Sequence, residues 1–218
     1  MNDIDRKTWE GHKERMNESN ILTGAILAGG LGLRMGQPKE GVLLPDGRPM
    51  IEHVIASLLP LCQRIVIIGT CRGFAIPSSP RFITLPDETP GMGPLHAIAT
   101  ILKSEIDMHG YLITACDQPF LSPDLLGRLA AGEKSTGPRI FQRTSSEMLT
   151  PLPGYYPVCW LSEINKQLLS GECSLCNAIQ SHPASFIPIS EKEELLLRNI
   201  NTPDDLNSVF KMRLEEQL

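Results

Sequence analysis

The chain has 218 residues, of which 41% are hydrophobic and 21% charged, and carries a formal net charge of −5. That length fits one domain at the usual scale of about 100 to 200 residues each. No apolar run approaches the roughly 20 residues needed to span a membrane. No Lys or Arg cluster stands out as a footprint for a nucleic-acid backbone, which leaves a small anionic ligand held by a few placed cations.

Residues 1–20, MNDIDRKTWEGHKERMNESN, read as a polar extension with no apolar core of a secretory signal, so the expected compartment is the cytoplasm. Ile21 to Ala28 reads as a short buried strand ended by Gly29 and Gly30. In GRPMIEHVIASLLPLC, residues Ile51, Val54, Ile55, Leu58, Leu59 and Cys62 share one helical face. RIVIIG, Arg64 to Gly69, is the continuous β-branched run of a strand covered on both faces, and Arg81 to Leu85 is a shorter strand.

Leu95 to Leu102 can be helical, and Tyr111 to Cys116 is another buried strand ending at Asp117. SPDLLGRLAAG then opens a helix, with Ser122 as cap, Pro123 at the first position and Asp124 in the first turn. NTPDDLNSVF repeats this punctuation: Thr202 caps, Pro203 opens, Asp204 and Asp205 complement the dipole, and Leu206, Val209, Phe210 and Leu214 face inward. Weaker strands are expected at Pro138 to Gln142, Tyr155 to Trp160 and Phe186 to Ile189. Strands alternating with helices imply a doubly wound, mostly parallel α/β sheet.

Six cysteines are scattered through a chain too large to need disulfide staples. Cys173 and Cys176 form a CxxC without a second pair or histidines at matching zinc spacing, so they read as helix-face or core thiols ahead of a zinc or redox site.

Three loops that follow strands carry the chemistry. LAGGLGLRMGQPK, Leu27 to Lys39, fails the dinucleotide GxGxxG pattern, because Met35 stands where the third glycine belongs. It fails the GK[ST] phosphate-loop pattern too, because Lys39 precedes Glu40. What remains is a glycine loop whose amides can approach a ligand, followed by two cations, Arg34 and Lys39, at a reach suited to a triphosphate. Asp117, at the end of YLITAC, presents a carboxylate that could share Mg²⁺ with substrate phosphates. PDETPGMGPLHAI, Pro86 to Ile98, adds Asp87 for ribose hydroxyls or the metal shell, and Gly91 and Gly93 where backbone can approach a ligand. Bland readings exist for each loop alone: a structural glycine turn, a helix-capping aspartate, a tight polar loop. Their succession on strand ends favours a ligand site, since open α/β sheets bind ligands beyond the carboxyl ends of their strands.

Together LAGGLGLRMGQPK, DETPGMGPLHAI, ACDQPFL and RNINTPDDL resemble the molybdenum cofactor guanylyltransferase family over about Ile21 to Leu206. The resemblance implies a Rossmann-like, three-layer α/β/α nucleotidyltransferase fold. It implies transfer of GMP from GTP to the phosphate of molybdopterin, with Mg²⁺ as cofactor and pyrophosphate as leaving group. By the same resemblance Leu27, Ala28, Gly29, Gly30, Lys39, Asp87 and Asp117 bind the nucleotide, with Lys39, Arg34 and Asp117 catalytic and Asp117 holding the metal. Gly91, Gly93, Pro94, Asn199 and Asn201 fall on the acceptor side. One domain, 21–218, would divide into a nucleotide-binding half of about 21–135 and an acceptor-binding half of about 136–205. GTP and molybdopterin would be the ligands of a monomer or weak oligomer, with no nucleic-acid or membrane partner and at most transient contact with molybdoenzymes or cofactor-delivery proteins.

Three departures are visible. Gly69 stands where some family members carry asparagine, and His96, which reads first as a satisfied structural histidine, replaces a small residue after GPL. SSEMLTPLPGYY lacks the histidine or arginine that the family often places before a proline. A cytidylyltransferase of the same fold, or a non-catalytic nucleotide-binding module, remain the alternatives.

Overall fold

The computed structural model describes residues 22–29, 35–131 and 136–215, with side chains to residue 209. Strand β1 (Thr23–Leu27) leads through a short 3-10 turn at Lys39–Gly41 to helix α1 (Met50–Leu58) and strand β2 (Arg64–Ile68). Next come β3 (Phe82–Leu85), α2 (Pro94–Lys103), β4 (Gly110–Ala115) and α3 (Pro123–Ala130). The remainder comprises β5 (Arg139–Arg143), β6 (Leu149–Pro157), α4 (Leu161–Leu169), α5 (Leu175–Gln180), β7 (Ser185–Ile189), α6 (Glu191–Glu194) and α7 (Pro203–Glu215).

Among the described residues the strands form one seven-stranded sheet in the order β3-β2-β1-β4-β6-β5-β7. Strand β6 runs antiparallel to both its neighbours, β4 and β5, and the other pairings are parallel. The period-2 alternation of the buried strands separates two faces. Ala25, Val66, Ile68, Tyr111 and Ile113 pack with Leu95, Ile98 and Ile101 of α2, Ile164 of α4 and Ile179 of α5. Their neighbours Ile26, Ile65, Ile67 and Leu112 pack on the other face with Ile51, Val54 and Leu58 of α1 and Leu125, Leu126 and Leu129 of α3. The result is a three-layer α/β/α arrangement around the doubly wound sheet that the alternating pattern predicts, with β6 as its antiparallel exception. Each such side chain contributes about 1.5 to 3 kcal/mol when fully buried.

Ser122 caps α3 by accepting from the Leu125 N–H at 3.2 Å. Thr202 likewise accepts from the Asp205 N–H at 3.2 Å. Leu206 and Val209 pack against a small core of Val42, Leu44, Met50 and Ile200, whereas the side chains of Phe210 and Leu214 lie outside the described set.

Two boundaries differ from expectation. Helix α1 stops at Leu58: Leu59 keeps helical backbone angles, but Pro60 after it has no N–H to continue the hydrogen-bond ladder. Cys62 stays buried in that core all the same. Strand β6 covers Leu149–Pro157 where Tyr155 to Trp160 was expected, and 158–160 form a 3-10 turn. Pro151, Pro153 and Gly154 read as strand breakers, yet the ladder with β5 shifts register here, pairing Ile140 with Gly154 and Phe141 with Thr150. An irregularity of this kind tolerates prolines that a regular ladder would not.

Candidate active site

The register of the parallel strands builds the site. Leu27 is level with Ile68 on one side and Ala115 on the other, and Ile68 is level with Leu85. Ala28, Gly69, Pro86 and Cys116 therefore leave the sheet in one row, and the loops after them open on the same edge. Because the chain passes from β1 toward β2 and β3 and only then crosses back to β4, this edge contains a topological switch point between β1 and β4. The antiparallel β6 delivers its N-terminal residues, Leu152 among them, to the same edge.

A cleft of about 1020 Å³ lies there, walled by Leu27, Ala28 and Gly29, by Gly69 and Thr70, by the Leu85–Asp87 strand end, and by Lys39, Asp117, Leu152 and Asn199. Gly91, Gly93 and Pro94 also line it. The loop glycines behave as backbone: Gly93 has φ +95° with no atom within 4 Å of a would-be Cβ, so the conformation and not crowding selects glycine. At Gly69 both reasons apply. Its φ is +94° and a Cβ would run into the Ala28 carbonyl oxygen. An asparagine could not stand there without moving β1, so the departure at Gly69 is required by how closely the first two loops approach each other.

Lys39 and Asp117, 78 residues apart, meet at the switch point: Lys39 Nζ lies 3.0 Å from Asp117 Oδ2. Lys39 Nζ also donates to Asn201 Oδ1, and Asn199 Nδ2 donates to Asp117 Oδ1 at 3.1 Å. Asn199 and Asn201 thus close around the Lys39–Asp117 pair itself. The segment that carries them is fastened in its middle by the Ile200 N–H to the Asp117 carbonyl at 2.9 Å and at its far end by Asp205. Asp205 Oδ2 accepts from the Asn201 and Thr202 N–H groups at 2.9 and 2.8 Å. Hydrogen bonds from Asn201, then from Thr202, hold its carboxyl below the usual carboxylate range.

Asp87 also lines the cleft, and its Oδ1 accepts from the Thr89 N–H at 3.0 Å in a tight turn. Arg34 and Gly30 lie outside the described residues. Among the described residues no three His, Cys, Asp or Glu side chains gather as a self-sufficient metal cage. Asp117 and Asp87 are the carboxylates this cleft offers, a donor type that suits a hard cation able to complete its shell with phosphates and water.

Sequence reasoning missed several groups. Glu40 is buried beside Lys39, and its Oε1 accepts from the Arg72 and Gly73 N–H groups at 2.8 and 3.2 Å, clamping the β2 loop to the Lys39 turn. A charge adjoining Lys39 was the available signal. Cys71 and Cys116 line the cleft as thiols. Burial, reinforced by the Glu40 charge, pushes Cys71 up to about 11. Burial and the Asp117 charge raise Cys116 as well, so neither is a thiolate nucleophile at neutral pH. The Nδ1 of His96 is buried without a hydrogen-bond partner among the described residues, so this ring is not the satisfied histidine expected. Cys173 and Cys176 are exposed thiols flanking Ser174, which caps α5 by accepting from the Asn177 N–H at 3.2 Å. A separate groove of about 430 Å³ includes Leu44, Phe120, Leu196 and Val209 in its lining. Of its polar groups, Asp46 is bound by Arg48 and His53 and Asp205 by the backbone.

A doubly wound sheet with a large cleft at its switch point, floored by a lysine and an aspartate, fits the class of nucleotide-handling α/β enzymes. Comparison narrows the class. Residues 24–184 match the MobA-like NTP transferase domain, and the chain belongs to that family of nucleotidyltransferases. A curated relative from Rhodopirellula baltica, named "Probable molybdenum cofactor guanylyltransferase", is 32% identical over 196 residues, covering 87% of this chain and 92% of its own. The crystal structure of molybdopterin-guanine dinucleotide biosynthesis protein A from Archaeoglobus fulgidus superposes with a TM-score of 0.69 at 25% identity, covering 89% of this chain and 100% of that one. The 2-C-methyl-D-erythritol 4-phosphate cytidylyltransferase of Thermus thermophilus shares the fold with a TM-score of 0.63 at 15% identity, covering 88% of this chain and 98% of that one.

Proposed function

We propose that this protein transfers GMP from GTP to the phosphate of molybdopterin, releasing pyrophosphate and forming molybdopterin guanine dinucleotide. The observation that carries the reading is the Lys39–Asp117 pair, caged by Asn199 and Asn201 on the floor of the switch-point cleft. The names borne by the relatives supply the base and the acceptor.

In this reading the β1–β4 half, about 21–135, takes the nucleotide: Leu27, Ala28, Gly29 and Gly30 offer backbone and Asp87 meets the ribose side. The β5–β7 half, about 136–205, takes the acceptor, with Gly91, Gly93 and Pro94 completing that side. Lys39 has three N–H donors and spends two on Asp117 and Asn201, which leaves one for a phosphate oxygen. Arg34 adds a second cation. Asp117 would hold Mg²⁺, which would supply further charge neutralisation for the triphosphate.

A phosphate monoester is already ionised at neutral pH, so the site needs no general base. One acceptor oxygen forms a bond to the α-phosphorus while the bond from that phosphorus to the β-phosphate bridge breaks, and pyrophosphate leaves with the electron pair. The chain's contribution is alignment and preorganised charge.

The reading is tested with purified protein, Mg²⁺, molybdopterin and each nucleoside triphosphate in turn, following pyrophosphate. Release with GTP is expected. Release with CTP but not GTP would make the protein a cytidylyltransferase, and release with no nucleotide would remove the reading.

A further inference from the structure

Gln118 follows the aspartate on the cleft floor, is 1% exposed, and is not part of the cleft wall. Its amide is bound on every side. Oε1 accepts from the Ala115 N–H at 3.2 Å, while Nε2 donates to the Leu152 carbonyl at 2.8 Å and to Asn199 Oδ1 at 3.4 Å. A main-chain N–H only donates and a main-chain carbonyl only accepts, so two backbone groups fix which end of this amide points where. The consequence passes on. With the Gln118 nitrogen facing it, Asn199 must present its oxygen to Gln118 and its NH₂ to Asp117 Oδ1, at 3.1 Å. Asp117 Oδ2 then remains for Lys39. Were Asn199 turned over, two acceptor oxygens would face each other at about hydrogen-bond distance, an arrangement that buried groups avoid.

We infer that Gln118 is a positioning residue for nucleotidyl transfer: it holds Asn199 in the one orientation that donates to Asp117, and so aims the carboxylate that pairs with Lys39. The same amide ties Leu152, on the β6 side of the cleft, to the end of β4, so one side chain sets the floor and a wall together. This rests on the reading above that Asp117 and Lys39 carry the transfer.

Gln118→Glu tests it with almost no change in volume. The new carboxylate oxygen faces the Leu152 carbonyl and Asn199 Oδ1, so Asn199 turns its NH₂ away from Asp117. The expected result is a fall in kcat of at least about tenfold, with the KM for nucleotide within about twofold, because the walls at Leu27–Gly29 and Leu85–Asp87 are untouched. Adding Gln118→Glu to Asn199→Ala should cost little beyond Asn199→Ala alone, since the first acts through the second. Gln118→Met, which keeps the bulk and removes every hydrogen bond, is the second variant if the glutamate form does not fold, and it should also lose kcat and not nucleotide KM. Additive losses in the double variant, or a raised KM at parental kcat, would overturn the inference. Asp117→Asn and Lys39→Ala run alongside separate the two levels. If they keep full transfer the underlying reading fails, whereas if they lose it while both Gln118 variants keep parental kcat, the positioning role fails.

Discussion

The two flanks of β4 are built by different rules. On one flank, β1, β2 and β3 run parallel in unbroken register, and their loops emerge level with one another. On the other, β6 runs against its neighbours, slips register beside β5, and brings Leu152 to the cleft edge. A regular parallel flank repeats one geometry three times, which suits a ligand part that every family member shares, such as a triphosphate. An irregular flank can change shape without disturbing the core, which suits the part of the reaction that varies, the acceptor. Substitutions on the two flanks should accordingly separate nucleotide from acceptor parameters.

The largest effect is expected where the flanks meet. Asp117→Asn should lower the transfer rate by about a hundredfold or more, the usual scale for losing one preorganised charge contact, with the far-ultraviolet circular dichroism spectrum unchanged. Unaltered turnover would take Asp117 out of the mechanism. On the regular flank, Gly69→Ala puts a Cβ against the Ala28 carbonyl oxygen at a φ that alanine resists. A loss of about 1 to 3 kcal/mol in denaturant unfolding is expected, with weaker nucleotide binding by calorimetry and little change in acceptor affinity. Equal weakening of both ligands would blur the division.

On the irregular flank, Leu152→Ala should raise the acceptor KM by about tenfold, within the range for removing apolar contact from a pocket, while the nucleotide KM stays put. The reverse pattern would reassign that wall. Asp205→Ala should cost about 1 kcal/mol, the scale of a lost helix cap, through loosening of the segment carrying Asn199 and Asn201. Because the native carboxyl sits below its unfolded value, its contribution is fully present above about pH 4 and lost as the pH falls through the folded value. The gap between the parent and this variant should therefore close in acid unfolding curves below about pH 4. A gap that persists in acid would assign the effect to packing.

The same contrast explains what the sequence revealed. The parallel flank was legible because buried strands of this kind are short apolar runs punctuated by glycine or aspartate, so β1, β2, β3 and β4 stood out, and with them Lys39, Asp87 and Asp117. The pairing of Lys39 with Asp117 depends on strand order, which no local pattern encodes, and only the presence of both at strand ends hinted at it. Strand β6 was displaced because Pro151, Pro153 and Gly154 are breakers in a regular ladder and tolerable only where the ladder slips. Asn199 and Asn201 were visible as motif residues but not as the cage around Lys39 and Asp117, which needs the segment before the last helix brought back to the switch point. Gln118 and Glu40 were overlooked for one reason: each is anchored to backbone, and a side chain anchored to backbone leaves little to recognise in the sequence.

The central claim, that this cleft moves a nucleotidyl group from GTP, is tested most directly by following label from GTP radiolabelled at the α-phosphate and, in parallel, at the γ-phosphate, with molybdopterin and Mg²⁺ present. The account predicts α-label in the acceptor product and γ-label in released pyrophosphate, with both transfers lost in Lys39→Ala. Transfer of γ-label to the acceptor, or no α-label in any acceptor product, would contradict it.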